Sequence, residues 1–167
     1  MSLLHSIATR LNGSPYKTQC EVIFASVNSY SRLNTSGHIT ASGLVIRSDQ
    51  ALLIFHPYIE QWLQPGGHID HEETPLDALI REVYEETGLV CSLDQTSLGP
   101  VDIDAHEIPA NPKKLEGPHL HIDFLFKFKV DREDESPELI KKALFTFDQI
   151  KNACIARALR NLGAQDL

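Results

Sequence analysis

The sequence feature that most constrains the fold is a segment with complete start and stop signals for a helix, residues 74–88. Thr74 can cap the helix, Pro75 suits its first position, and Asp77 supplies the acidic third position of a capping box. Gly88 suits the end of the helix. Between these ends a buried stripe is predicted at the i, i+3, i+4 and i+7 positions: Leu76, Leu79, Ile80 and Val83. One face of the helix is therefore expected to pack on a core.

Three acidic residues lie on a different face of this helix. At roughly 100° per residue, Glu82, Glu85 and Glu86 fall within an arc of about 100°. A solvated acidic face is the commoner outcome for such a run, but acids near a helix C-terminus oppose the helix dipole and repel each other. A divalent ion would resolve the repulsion, because Mg²⁺ and Mn²⁺ prefer oxygen ligands and bind phosphate oxygens in turn. The flexible Gly66-Gly67 pair could bring a backbone carbonyl to the same ion.

The spacing around this helix resembles the Nudix box. Five residues separate Gly67 from Glu73, and seven more separate Glu73 from Arg81. The remaining fixed positions of that box are also occupied, by Glu82, Glu85, Glu86, Gly88 and Leu89. The match covers 23 residues and is far more specific than a short glycine motif. The resemblance implies the Nudix fold, an α/β/α sandwich with a mixed β-sheet, and Mg²⁺-assisted hydrolysis of a phosphoric anhydride, with Mn²⁺ able to substitute.

The resemblance also implies a catalytic metal site. Glu82 and Glu86 would be principal metal ligands, and Glu85 would be a further ligand or a carboxylate linked through water. Gly66 would supply a carbonyl ligand. Glu82 or Glu85 would orient the attacking water, although members of this family differ in the position of the general base.

Three other residues of the box are expected to support this site rather than to catalyse. Gly67 allows close approach of the main chain. The Arg81 guanidinium can pair with Glu85 one helical turn on, and with Glu73 across the loop. These ion pairs would hold the carboxylates in a fixed geometry.

The rest of the chain predicts a mixed sheet packed between helices in a single domain over residues 1–167. Strands are expected at 39–46, 51–55, 101–108, 119–130 and 144–147, and a last helix at 148–162. The first two strands should form a hairpin through residues 47–50. Residues 1–31 predict a helical N-terminal extension with two apolar stripes, although 21–27 could also be a strand. The stripes are Leu3, Leu4, Ile7, Ala8 and Leu11, and Cys20, Ile23, Phe24 and Val27.

The strand predicted at 119–130 divides by parity. Its even positions from Leu120 to Phe128 are apolar and should face the core, so the odd positions should leave it. His119, His121 and Asp123 then share one face and are candidate substrate-binding residues; the alternative is a solvent-facing strand with incidental histidines. His38 and His68 are weaker candidates of the same kind.

Charge and cysteine content limit which classes of binding partner and which cell compartment are expected. The net charge of −8 leaves no basic footprint for nucleic acid or an anionic membrane. The substrate that the Nudix resemblance implies is a small phosphoanhydride that contains a nucleotide. The cysteines are Cys20, Cys91 and Cys154, which are widely spaced and form no CxxC pair. This pattern, with no long apolar run, indicates the cytoplasm.

Two other function classes stay open. One is a catalytically inert Nudix-fold module that senses a nucleotide or a sugar, which the three intact box carboxylates argue against. The other is an isoprenyl-diphosphate isomerase, for which no suitably placed cysteine and acid pair is evident. Substrate identity lies in loops outside the box, and fold does not fix function.

Overall fold

A computed structural model describes residue 11 and residues 14–94, 99–112 and 115–163. The α-helices are α1 (Lys17–Ala25), α2 (Pro75–Thr87) and α3 (Ala153–Asn161), with a 3₁₀ turn at Phe147–Gln149. The strands are β1 (Gly37–Arg47), β2 (Gln50–His56), β3 (Gln61–Leu63), β4 (Gly66–His68), β5 (Leu89–Leu93), β6 (Asp102–Ile108), β7 (His119–Glu133) and β8 (Lys142–Thr146). Every helix among these residues is too short or too polar to traverse a lipid bilayer.

The strands form one mixed sheet centred on β1 and β7. These two run parallel in a register from Gly37 opposite Leu120 to Val45 opposite Phe128. The strand order is β3-β2-β1-β7-β5, with β4 also pairing with β1, β6 with β7, and β8 with β2. The pairings other than β1 with β7 are antiparallel.

Helices cover both faces of this sheet. On one face, Ala41 and Val45 of β1 pack against Leu79 and Val83 of α2, and α1 packs nearby through Cys20 and Ile23. On the other face, Leu44 and Leu125 pack against α3 through Ile155 and Ala158. Each large apolar side chain buried in this way contributes about 1.5–3 kcal/mol. The predicted α/β/α sandwich with a mixed sheet is confirmed.

Helix α2 has the predicted ends. Thr74 accepts a hydrogen bond from the Asp77 N–H, the Asp77 side chain completes the capping box, and Gly88 ends the helix in the left-handed conformation. The predicted buried stripe is wrong at Ile80, which is 37% exposed. Ala78 and Thr87 are buried with Leu79 and Val83 instead, because the sheet covers the helix from a slightly different side.

Three further local predictions, for a hairpin, for the N-terminal extension and for the last helix, have different outcomes. The hairpin between β1 and β2 is confirmed, with Arg47 opposite Gln50. Residues 17–25 are helical, so the alternative of a strand at 21–27 is wrong; residues 3–8 of the extension lie outside the described residues. The last helix begins at Ala153 rather than 148, because Asn152 caps it by accepting from the Ile155 N–H.

The expectation that odd positions of β7 leave the core is wrong for part of the strand. Asp123 is 5% exposed and Leu125 is fully buried. Both faces of β7 are covered at this level, since α3 packs on the side opposite α2. The alternation of side chains therefore assigns the residues of β7 to the correct faces, but neither face is open to solvent at this level.

Candidate active site

The glycine pair lies in strand β4, which meets the acidic helix α2 at close range. The Gly66 N–H donates a hydrogen bond of 2.9 Å to Oε2 of Glu86. Gly66 has a φ of 151°, and a Cβ there would lie 2.5 Å from the Ala41 carbonyl oxygen. A Cβ on Gly67 would lie 2.6 Å from Oε1 of Glu82. Two side chains of α2 thus reach the backbone at positions where only glycine leaves room.

Arg81 links the loop before α2 to the carboxylates on it. Its Nε and Nη2 each donate to Glu73 at 2.8 Å, which is a bidentate pair. Its Nη1 donates to Glu82 at 2.8 Å and to Glu85 at 3.2 Å. Nη2 also donates to the backbone carbonyl of His68 in β4 at 3.1 Å. One guanidinium therefore fixes the helix, the loop and the strand relative to each other.

The two carboxylates nearest the glycines are costly to ionise. Burial, together with the charges of Glu82, Glu138 and Glu85, raises the pKa of Glu86 to about 8 against the hydrogen bond from Gly66. Burial also raises the pKa of Glu82, while the hydrogen bond from Arg81 opposes that rise. By contrast, the hydrogen bond from Arg81 lowers the pKa of Glu73. This donor set fits a divalent cation, because such an ion would stabilise the ionised form of Glu82 and Glu86.

The structure thus brings together the box residues singled out in the sequence, and it adds one that was missed. Glu138, in the segment after β7, is exposed, and its N–H donates to the Glu85 carbonyl at 3.0 Å. Its charge raises the pKa of both Glu82 and Glu86. Nothing in the local sequence indicates this, since 52 residues separate Glu138 from Glu86.

Asp123, one of the candidate substrate-binding residues, is engaged inside the protein. Its carboxylate accepts hydrogen bonds from Thr40 at 2.9 Å, from Gln64 at 3.1 Å and from Ser42. Burial raises the pKa of Asp123 against these hydrogen bonds. Among the described residues, no hydrogen bond joins Asp123 to the neighbouring His121. The carboxylate instead ties β7 to β1 and to the segment before β4.

Five histidines gather at one end of the same sheet face, around His121. We call His38, His68, His106, His119 and His121 the histidine cluster. Ring centroids within it lie 4.7 Å apart for His38 and His121, and 5.0 Å apart for His68 and His121. Burial together with the charges of neighbouring histidines lowers the pKa of His38 to about 4 and that of His121 to about 2. Both shifts favour the neutral imidazole.

The histidine cluster and the Glu82 carboxylate lie on opposite faces of the sheet. His38 and Thr40 alternate along β1 with Ile39 and Ala41, which face α1 and α2. His68 pairs with Thr40 and so shares its face, whereas Gly67 faces Glu82. The sequence suggested His38 and His68 only as weak candidates, and it missed His106. His106 belongs to the histidine cluster because the register of β6 on β7 places it opposite His121.

Comparison with known proteins identifies the family. The family model described as the NUDIX domain matches residues 37–164, from the start of β1 to just beyond α3. The chain belongs to the NUDIX family. It is a Nudix hydrolase, as the box predicted, and the site on α2 and β4 is formed by that box.

Individual relatives of this Nudix hydrolase differ in how much they share with it. A protein of Lactococcus lactis subsp. cremoris named probable DHNTP pyrophosphohydrolase is 36% identical over 118 residues, which are 70% of this chain and 68% of that protein. Human diphosphoinositol polyphosphate phosphohydrolase 3-alpha is 46% identical over 44 residues, which are 26% of this chain and 27% of that protein. The crystal structure of a NUDIX-family hydrolase from Clostridium perfringens superposes with a TM-score of 0.56 at 25% identity, covering 77% of this chain and 97% of that chain.

This Nudix hydrolase does contain a cysteine beside an acid, outside the box. The Cys154 thiol of α3 donates to Asp102 across 3.4 Å, and Arg157 donates to the same carboxylate at 2.6 Å. Both Cys154 and Asp102 are buried, and burial raises the pKa of the Cys154 thiol. A buried thiol beside an acid already paired with arginine is not placed for the proton chemistry of an isomerase.

Proposed function

We propose that this Nudix hydrolase is a Mg²⁺-dependent pyrophosphohydrolase that cleaves a phosphoric anhydride in a nucleoside diphosphate derivative or a nucleoside triphosphate. The observation that carries the proposal is the position of Glu82 and Glu86 against the glycines of β4. Glu86 is buried and accepts from the Gly66 N–H. Glu82 is partly buried and pairs with Arg81. Such a set of hard oxygen donors suits Mg²⁺ or Mn²⁺.

The residues that would hold the ion are Glu82, Glu85 and Glu86, with the Gly66 carbonyl as a further ligand. When bound, Mg²⁺ supplies Lewis-acid chemistry: it lowers the pKa of water and neutralises charge on the departing phosphate. Arg81 and Glu73 keep the carboxylates in place and are positioning residues in this proposal. Gly67 leaves the space beside Glu82 open.

One of the chain's own carboxylates would also accept the proton of the attacking water. An oxygen–phosphorus bond forms as the bridging phosphoric anhydride bond breaks, and the water proton passes to a carboxylate. Glu82 and Glu85 are the candidates for orienting that water, since both lie on α2 and accept from Arg81.

The choice of first substrates follows the relatives. The Lactococcus protein matches most of its own length and carries the name of a DHNTP pyrophosphohydrolase, so DHNTP is the first compound to test. The match to the diphosphoinositol polyphosphate phosphohydrolase spans about a quarter of either chain and carries less weight. Nucleotide sugars, dinucleoside polyphosphates, ADP-ribose and oxidised nucleotides complete the panel.

The remaining elements of the proposal concern Asp123, the cell compartment and the domain. Asp123 acts by positioning Gln64 and β1, whereas direct substrate contact falls to other residues of that face. A cytoplasmic location agrees with three buried and unpaired cysteines, since such thiols are usual in reducing compartments. We also propose one domain, with residues 1–31 as its extension and a small molecule as its partner.

The test is hydrolysis of this panel by the purified chain with Mg²⁺, followed as release of phosphate or of a monophosphate. Glu82→Gln and Glu86→Gln each remove a charged oxygen ligand and should lower turnover by roughly 10²-fold or more, with an unchanged circular dichroism spectrum. Glu72→Gln is the matched control, because that side chain lies in the loop before α2 and is 86% exposed. Undiminished turnover in either site variant would refute the proposal. Binding of panel compounds without turnover would favour the sensing module.

A further inference from the structure

His38 is the least expected member of the histidine cluster. It is 2% exposed, and within the described residues neither Nδ1 nor Nε2 makes a hydrogen bond of standard geometry, although a backbone contact with Asn34 opposes the lowering of its pKa. Buried polar side-chain atoms in folded proteins nearly always have a partner, in the protein or in bound solvent or ions. Its ring lies 5.1 Å from that of His119 and 4.7 Å from that of His121, centroid to centroid. The natural partner of His38 therefore belongs in the space between these rings.

The nitrogens around that space converge. His119 Nε2 and His121 Nε2 lie 3.1 Å apart, and one ring nitrogen each from His38, His119 and His121 falls within 4.8 Å of the others. Tetrahedral zinc with Zn–N bonds of about 2.0–2.1 Å places its nitrogen ligands roughly 3.4 Å apart. The pair from β7 is already near this spacing, and side-chain rotation has to close the widest gap by at most about 1.4 Å. A simple hydrogen bond between His119 and His121 would explain their distance but would leave both nitrogens of His38 without a partner.

We propose that His38, His119 and His121 bind one transition-metal ion of the Zn²⁺ class, at a site separate from the carboxylates of α2. Imidazole nitrogen selects Zn²⁺, Co²⁺ or Ni²⁺ over Mg²⁺, which prefers oxygen. Imidazole binds such an ion through a nitrogen lone pair, and each of the three rings offers one nitrogen to the same small space. Three protein ligands leave a fourth position for water or a substrate oxygen.

The surroundings support the site without supplying its ligands. His106, opposite His121 on β6, contacts Asp104 through Nδ1 at 3.1 Å, the kind of second contact that orients histidines near metals. The His119 ring is also held, because its Nδ1 lies 2.9 Å from the Gly117 carbonyl. This contact makes Nδ1 the protonated nitrogen and leaves Nε2 free to bind the ion. The ion would join the first residues of β7 to β1, on the sheet face opposite α2.

The experiment is equilibrium dialysis of the chelator-stripped full chain against Zn²⁺ in excess Mg²⁺, with bound zinc counted by elemental analysis. The visible absorption of bound Co²⁺ gives an independent readout, because tetrahedral Co²⁺ absorbs far more strongly than the hydrated ion. The variants are His119→Gln, His121→Gln and His38→Gln. His71→Gln is the matched control, since His71 is 94% exposed and outside the histidine cluster. If His38→Gln fails to fold, the variant at the half-buried His119 carries the test.

We expect one tightly bound zinc per chain in the parent, in His71→Gln and in the Glu82→Gln/Glu86→Gln double variant. The ligand variants should lose affinity by more than the roughly 10–100-fold that losing an outer contact costs. Absence of stoichiometric zinc in the parent would overturn the proposal, as would unchanged binding in His119→Gln and His121→Gln. Loss of zinc from the glutamate double variant alone would place the ion at the carboxylates and also overturn it. These outcomes are independent of whether Mg²⁺-dependent hydrolysis is found.

Discussion

A Cβ atom placed on Gly67 would lie 2.6 Å from Oε1 of Glu82, closer than side-chain atoms pack in proteins. Glycine at this position therefore makes room for a carboxylate that reaches over from α2. The relationship joins two parts of the chain, a short edge strand and the middle of a helix, that are 15 residues apart in sequence. This contact explains physically why the first position of the box is a glycine.

Gly67→Ala should lower the rate of Mg²⁺-dependent hydrolysis about tenfold or more while changing stability little, because the flexible Glu82 side chain gives way and leaves its position. Steady-state kinetics and thermal melting on the same preparation measure the two effects. Gly99→Ala is the control, since a Cβ there meets nothing within 4 Å. Equal rates in the two alanine variants would contradict this role for Gly67.

Arg81→Ala should weaken Mg²⁺ binding and lower the free energy of unfolding by roughly 1–3 kcal/mol, because Glu73 and Glu82 lose a charge-assisted donor. Arg81→Lys should recover only part of each loss, since an ammonium group cannot form the bidentate pair with Glu73. Metal titration and urea unfolding measure the two quantities. Arg132→Ala removes an exposed arginine paired with Asp134 and should alter neither. Normal metal affinity in Arg81→Ala would show that Arg81 does not organise the site.

Glu138→Gln should weaken Mg²⁺ binding by roughly two- to tenfold, because a negative charge near Glu82 and Glu86 attracts the cation. The effect should shrink at high salt, since the side chain is exposed to screening. Glu135→Gln changes an exposed acid three residues earlier and is the comparison. Identical Mg²⁺ titrations for the two variants would remove Glu138 from the site.

Arg157→Gln should lower the free energy of unfolding by about 1–3 kcal/mol, because the buried Asp102 carboxylate loses its charged donor and keeps only the weak Cys154 thiol, while solvent at the partly exposed Arg157 limits the loss. Asp102 is 2% exposed, and Arg157 contacts it at 2.6 Å and Asp104 at 2.8 Å. Arg160→Gln, on the same helix but exposed, should cost little. Urea unfolding compares the two; a loss below 1 kcal/mol in Arg157→Gln would mean that solvent replaces the arginine.

Local signals in the sequence predicted much of the fold. The capping box and Gly88 determine the ends of α2 because they act within a few residues, and parity sorts β7 into two faces because side chains alternate along any strand. Predictions failed where a neighbouring element decides. Ile80 is exposed because the sheet covers another side of α2. The predicted start of α3 is wrong for a different reason, since it overlooks the local cap at Asn152.

The sequence by itself determined the spacing of Glu82, Glu85 and Glu86 on one helix, since helical geometry fixes it, and the box pattern that identifies the family. Only the tertiary structure decided what these side chains contact. The pairing of β4 with β1 brings Gly66 to Glu86, and the segment after β7 brings Glu138 to the end of α2. The parallel register of β1 with β7 likewise places His38 beside His121, which are 83 residues apart. Contacts between distant segments depend on how strands pair and which face a helix covers, and no local pattern encodes either.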